Sequence, residues 1–152
     1  SFWGIGNEAT IGYLRHAEIK HGRVAMAAFV GYCVQANGIH FPWTPYPGFV
    51  DGLSPPEQWA NLPAVAKWQF FVYIGILEAL GECFPAGEHY ALGGKPGVFP
   101  SLKEPNPQMA ACGVYPFHGF PLDLFDPFGT VAKLDEAKKE RGRRVEINNG
   151  RL

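Results

Sequence analysis

Two stretches of the chain read as helices by length and apolar content, and neither is apolar throughout. Residues 24–34 and 68–77 are the longest runs dominated by apolar side chains, the first stopped by Gln35 and the second containing Gln69. Neither reaches the roughly eighteen uncharged residues that a plain hydropathy reading asks of a membrane span. Each nevertheless extends on one side into a helix-compatible segment with a few ionisable groups, about 11–36 and about 62–84. Both segments are long enough to cross a hydrocarbon layer of about 30 Å. Residues 37–61 contain Pro42, Pro45, Pro47, Pro55 and Pro56 together with Trp43, Tyr46 and Trp59, which predicts an irregular, aromatic-rich loop. A second Gly/Pro-dense loop covers 85–133. Residues 134–152 then turn charged and helix-favouring, with Asp135 and Glu136 suited to a first turn. The predicted architecture is a single all-α domain over 1–152, ordered helix, loop, helix, long loop, start of a third helix.

Composition sharpens this picture. Of 152 residues 47% are hydrophobic and 18% charged, against about 25% charged in ordinary soluble domains. The 19 Gly and 14 Pro confine regular structure to few elements. A formal net charge of -1 excludes the electrostatic footprint of a nucleic-acid binder. Cys33, Cys83 and Cys112 form no C-x-x-C, so they are expected as free thiols rather than as a disulfide framework or thiolate metal site. The chain starts at Ser1, as expected if a targeting segment has been removed.

Lysine and arginine are unevenly placed. Residues 37–61 hold none, whereas 85–145 hold Lys95, Lys103, Lys133, Lys138, Lys139, Arg141, Arg143 and Arg144. By the positive-inside rule the second loop stays on the side of synthesis or import. A soluble protein with a basic patch would account for the second loop but leaves the empty first loop as an accident.

The strongest signal is an internal repeat. EIKHGRV at 18–24 recurs as EINNGRL at 146–152, an offset of 128, and Arg15 likewise matches Arg143. Taken alone the first copy should not insert. Glu18, Lys20 and Arg23 at mid-membrane would each cost about 2.5–3.5 kcal/mol, while Val24, Phe29, Val30 and Val34 return only about 0.3–0.6 kcal/mol each. A twofold pair of helices supplies the compensation, Glu18 meeting Arg151 and Arg23 meeting Glu146 away from lipid. Gly22 and Gly150 would let the backbones approach, Ala27 and Gly31 would continue the small-residue stripe, and Lys20 would snorkel or face a polar loop. A carboxylate paired with arginine keeps a lone pair. His21 lies about 60° around the helix from Glu18, and Asn149 takes its place in the second copy. Glu, His and Asn each offer a lone pair to a Lewis acid, and Mg²⁺ already held in a planar macrocycle needs one such axial ligand. A core histidine satisfied by a carbonyl and a merely structural asparagine are the alternatives.

At these residues the sequence closely resembles the three-helix light-harvesting chlorophyll-binding proteins of plastids, whose first and third transmembrane helices carry E-x-x-[HN]-G-R. FDPFG at 125–129 is similar to the segment before that family's third helix, and GILEALGE at 75–82 to its middle helix. The resemblance implies a three-transmembrane-helix fold with two crossed, pseudo-twofold helices. It implies Glu18, His21, Glu146 and Asn149 as axial ligands to chlorophyll magnesium, with Glu18–Arg151 and Arg23–Glu146 as interhelical pairs. It also implies Glu78 as the ligand on the middle helix. Gln69 precedes Glu78 by nine residues, about 180° around the helix, and so serves a different pigment or none. HFPWTP at 40–45 and the short middle helix look more like the chlorophyll a/c branch of red-lineage algae, dinoflagellates especially, than like plant chlorophyll a/b proteins.

The resemblance further implies chlorophyll a, chlorophyll c and carotenoids such as peridinin, fucoxanthin or a related xanthophyll. Its implied partners are a photosystem core, neighbouring antenna subunits and thylakoid lipids, with 85–133 on the stromal side and 37–61 on the lumenal side. A photoprotective quencher, or a pigment-free membrane scaffold, would use the same ion pairs. The third helix is expected to continue beyond Leu152, and the roles of Glu146, Asn149 and Arg151 depend on that continuation. His40, His89 and His118 sit in loops as solvated or capping histidines or as ligands to peripheral pigments. His16 and His21, about 140° apart, cannot grip one metal. Glu78 and Glu82 are i, i+4 carboxylates with no accompanying nucleophile or acid/base partner, so catalysis has no candidate machinery.

Overall fold

A computed structural model describes residues 6–40, 42, 48–85, 87–99, 126 and 128–152. Among these every regular element is helical: α1 (Glu8–Ala36), α2 (Pro55–Asn61), α3 (Ala64–Cys83), a 3₁₀ turn at Tyr90–Leu92, and α4 (Glu136–Arg151). The helix α1 begins three residues before the expected 11. Its apolar pattern starts late, but its cap does not: the Asn7 side chain accepts from the Thr10 N–H at 2.8 Å, and Glu8 sits in the first turn. It ends where Gly38 turns to φ +65° and the Gly38 N–H returns to the Gln35 carbonyl at 3.0 Å.

The reading of 37–61 as wholly irregular is corrected by α2. Pro55 and Pro56 open that helix instead of forbidding it, since the first helical positions need no N–H donor. The Glu57 carboxylate accepts both the Ser54 N–H at 3.1 Å and the Ser54 hydroxyl at 2.5 Å. Those two bonds, the hydroxyl first, hold the Glu57 carboxyl below its ordinary range. The buried Gln58 then ties α2 to the preceding loop, donating to the Gly48 carbonyl at 2.8 Å and accepting from the Val50 N–H at 3.2 Å. Two residues beyond α2, Pro63 caps α3, which runs 20 residues to Cys83 and stops just before Pro85.

The helix α3 alone is long and apolar enough to cross a membrane among the described residues. Leu80 is its only buried residue, while Val65 and Trp68 are both 69% exposed. The apolar half of α1 is just as open, with Phe29 at 72% exposure. Apolar helix faces left open by the other described residues suit a lipid or cofactor environment.

The helices α1 and α4 meet backbone to backbone. A Cβ on Gly22 would lie 3.1 Å from the Gly150 Cα, and one on Gly150 would lie 2.7 Å from the Gly22 Cα. Further along α1, Gly31 has nothing within 4 Å of its own Cβ position among the described residues. Cys33 and Cys83 are free thiols, and Cys112 lies outside the described residues. Gly150→Val should therefore force α1 and α4 apart at a cost on the order of 1–3 kcal/mol, since neither backbone can yield as a flexible side chain would. Gly31→Val should be nearly silent. Thermal loss of helical circular dichroism in detergent checks both.

Candidate pigment-binding site at the paired helices

Around the glycine contact the repeat closes on itself. Arg23 Nε donates to Glu146 Oε1 at 2.5 Å, and Arg151 Nε donates to Glu18 Oε1 at 2.7 Å. Exchanging the two copies of the heptapeptide maps this set of contacts onto itself. The environments of the pairs differ. Arg23 and Glu146 are 38% and 33% exposed, and the Arg23 Nη1 also donates to the Gly97 carbonyl at 2.6 Å; Arg151 is 62% exposed and has no second acceptor among the described residues. Gly97 is buried at φ +78°, where a Cβ would lie 2.8 Å from the Ile19 Cγ2, so only glycine brings its carbonyl there.

Each predicted ligand retains an open donor atom. Glu18 and Glu146 engage arginine through Oε1, and Oε2 takes no partner among the described residues. His21 Nδ1 lies 2.7 Å from the Ala17 carbonyl. A carbonyl only accepts, so Nδ1 carries a proton, and in the neutral ring Nε2 keeps a lone pair on an exposed side chain. Asn149 is exposed and has no side-chain partner among the described residues. A recess of about 320 Å³ between the helices is lined by Glu18, His21, Ala25, Glu146, Gly150 and Arg151 among others. Carboxylate oxygen, amide oxygen and neutral imidazole are all donors that a magnesium already seated in a macrocycle accepts, so the donor set fits that group.

Glu78 stands differently from the expectation of a lone ligand on the middle helix: its Oε2 accepts from Lys20 Nζ at 2.5 Å, leaving Oε1 open. Lys20 neither snorkels nor faces a loop. It reaches α3 and also contacts Glu82 Oε1 at 3.3 Å. The reason is electrostatic, because α1 carries a cation left over once Arg23 has paired and α3 carries two carboxylates on one side. Gln69 is exposed on α3 with no partner among the described residues.

A cluster that sequence reasoning missed surrounds Glu82. Its Oε2 accepts the Tyr90 hydroxyl at 2.7 Å and lies 3.3 Å from His89 Nε2, while the buried His16 faces its Oε1 at 3.6 Å. The His16 and Tyr90 rings stack at 4.2 Å and 17°. Against these groups Gly12 leaves room on α1 for the Tyr90 carbonyl. The available signal was the spacing of Glu78 and Glu82, two like charges on an apolar helix that demand cations from elsewhere.

Elsewhere, His40 lies 3.5 Å from Asp51, and His118 falls outside the described residues. Of the FDPFG segment, Asp126, Phe128 and Gly129 are described. Burial works to raise the Asp126 carboxyl pKa, but the N–H groups of Ala132, Thr130 and Val131 and the Thr130 hydroxyl outweigh it and hold the pKa low.

The geometry separates the two arginines. Arg23→Leu strands Glu146 and frees Gly97, and should cost about 1.5–3 kcal/mol for each charge-assisted bond lost. Arg151→Leu strands Glu18 but has no Gly97 bond to lose, so it should cost less than Arg23→Leu by about one charge-assisted bond. Thermal melts of the two variants rank them. The Tyr90 phenol is pushed up to about 12, by burial first and by Glu82 next. A raised phenol pKa favours the protonated form in the folded protein, so this contribution is intact below about pH 10 and is lost as pH rises towards 12. Phenolate absorbance in wild type against Tyr90→Phe reads that late-titrating group directly.

Comparison with known proteins places the paired helices in a lineage. The chain is 30% identical over 145 residues to a fucoxanthin-chlorophyll a-c binding protein of Trieres chinensis, covering 91% of this chain and 58% of that protein. It is 38% identical over 76 residues to fucoxanthin-chlorophyll a-c binding protein C of Phaeodactylum tricornutum, covering 49% of this chain and 39% of that one. A shorter match of 35 residues, 51% identical, reaches photosystem I chlorophyll a/b-binding protein 6 of Arabidopsis thaliana, with 23% of this chain and 13% of that protein covered. The chain thus spans well under two thirds of the length of these relatives. The family model described as chlorophyll A-B binding protein matches residues 2–152, essentially the whole chain. On that match, with reciprocal Glu–Arg pairs flanking a glycine contact, the chain belongs to the chlorophyll A-B binding protein family.

Proposed function

We propose that this chain is a light-harvesting antenna protein that holds chlorophyll a, chlorophyll c and a carotenoid of the fucoxanthin or peridinin kind in a plastid thylakoid membrane. The names of the Trieres and Phaeodactylum relatives support the pigment classes. The observation that carries the reading is the form in which the donors are presented. Glu18 and Glu146 are each paired with an arginine, Glu78 with Lys20, and Asn149 and the neutral form of His21 bring no charge. Every candidate ligand is therefore charge-balanced before a magnesium, itself neutralised by its macrocycle, approaches it. Ligation then adds no net charge to a low-dielectric interior.

In this reading α1, α3 and α4 are the membrane helices, the two repeats crossing at Gly22 and Gly150. The basic residues of 85–133 lie on the stromal face and 37–61 on the lumenal face. Bound chlorophyll would supply the excited state. The chain's own work is positional: Arg23 and Arg151 lock the carboxylates, Ala17 orients the His21 ring, and the exposed apolar faces of α1 and α3 receive macrocycles and carotenoid and exclude water. No bond is made or broken. Excitation passes to neighbouring antenna subunits and a photosystem core because spacings and orientations are held fixed.

His21→Leu removes a donor without touching an ion pair. The reconstituted variant should carry one chlorophyll fewer per chain with unchanged helical content. An unaltered pigment count would overturn the ligand assignment.

A further inference from the structure

His16 is the most buried histidine of the described residues, 9% exposed, and none of the proposed ligand roles uses it. Its Nδ1 accepts the Gly97 N–H at 3.0 Å, so the ring proton sits on Nε2, which is buried and faces Glu82 Oε1 at 3.6 Å without a hydrogen-bond partner. The Tyr90 ring covers one face of the imidazole and fixes its plane. The residue held by His16 is the one that holds Arg23, through the next peptide group: the Gly97 carbonyl accepts from Arg23 Nη1 at 2.6 Å, and the same guanidinium donates through Nε to Glu146 at 2.5 Å.

We infer that His16 is a positioning residue for the pigment held by Glu146, acting through the Gly97 backbone and the Arg23 guanidinium rather than by touching the pigment. This rests on the reading of Glu146 as a magnesium ligand. The chemistry is directional. A guanidinium is a rigid fork, so fixing Nη1 on a carbonyl fixes the line along which Nε meets the carboxylate and thereby the direction in which Glu146 Oε2 points. The Gly97 N–H and carbonyl lie in successive peptide groups that share one Cα, and with Gly97 packed against Ile19 at φ +78° an N–H anchored on His16 also sets where that carbonyl points. Arg151, the symmetry mate of Arg23, has no such second tie, so Glu18 should not depend on His16.

The two nitrogens of His16 allow a test that ordinary loss of packing would not mimic. Asn places an oxygen near the position of Nδ1 and keeps the acceptor for Gly97. Gln reaches towards Glu82 but loses that acceptor, and Phe keeps only the ring. In the pigment-loaded protein, Glu146→Leu, or R23L/E146L where the single change fails to fold, first identifies the absorption component and the chlorophyll lost with Glu146. His16→Phe and His16→Gln should then lose or shift that same component, leave the component lost in His21→Leu in place, and speed hydrogen exchange at the Gly97 amide about tenfold. His16→Asn should restore all three readouts. If Glu146→Leu removes a component that His16→Phe and His16→Gln leave unmoved, or if His16→Asn behaves like His16→Phe, the positioning role is overturned while the ligand reading stands. If Glu146→Leu removes no pigment, the ligand reading itself is overturned and the inference falls with it.

Discussion

Two glycines in contact, with an arginine–glutamate pair on either side, set the terms for the whole molecule. Gly22 and Gly150 remove the side chains that would hold α1 and α4 apart. At that separation each guanidinium reaches the opposite carboxylate, and a larger spacing would leave four charges to be solvated singly in an apolar medium. Glycine therefore serves proximity here, and proximity makes the charges tolerable. The contact is polar in chemistry and has almost no apolar core around it, since Leu80 is the only buried hydrophobic residue among the described residues.

The second polar joint obeys the same rule with different residues. Lys20 crosses from α1 to the two carboxylates of α3, and His89, Tyr90 and His16 gather about Glu82 from the loop and from α1. The segment 87–99 thus becomes part of the helix assembly rather than a tether, with Gly97 threaded between Ile19 and Arg23. The two joints share that segment.

The main helices were legible because their signals are local. Apolar runs, prolines and the Asp135–Glu136 start located α1, α3 and α4 to within a few residues, and the duplicated heptapeptide pointed to Glu18, Arg23, Glu146 and Arg151 as reciprocal partners. What escaped was weaker or non-local. Asn7 caps α1 ahead of any apolar residue that belongs to its pattern, and Ser54 with Glu57 made a helix out of a stretch whose five prolines argued for none. The partner of Lys20 lay nearly sixty residues away on a helix whose register against α1 no periodicity encodes. His16 drew notice only as a failed metal ligand, because its role depends on where a glycine peptide far along the chain comes to rest.

A fold joined by ion pairs and hydrogen bonds, with its oily side chains turned outward, responds to its surroundings in the sense opposite to that of a water-soluble domain. Coulomb attraction at a given separation strengthens as the dielectric constant of the medium falls, from about 1 kcal/mol at 4 Å in water to several times that in a partly shielded site. A low-dielectric surrounding thus tightens the joints that α1 makes with α4 and, through Lys20, with α3, and water that seeps in slackens them. Charge pairing, rather than an apolar interior, keeps these helices together.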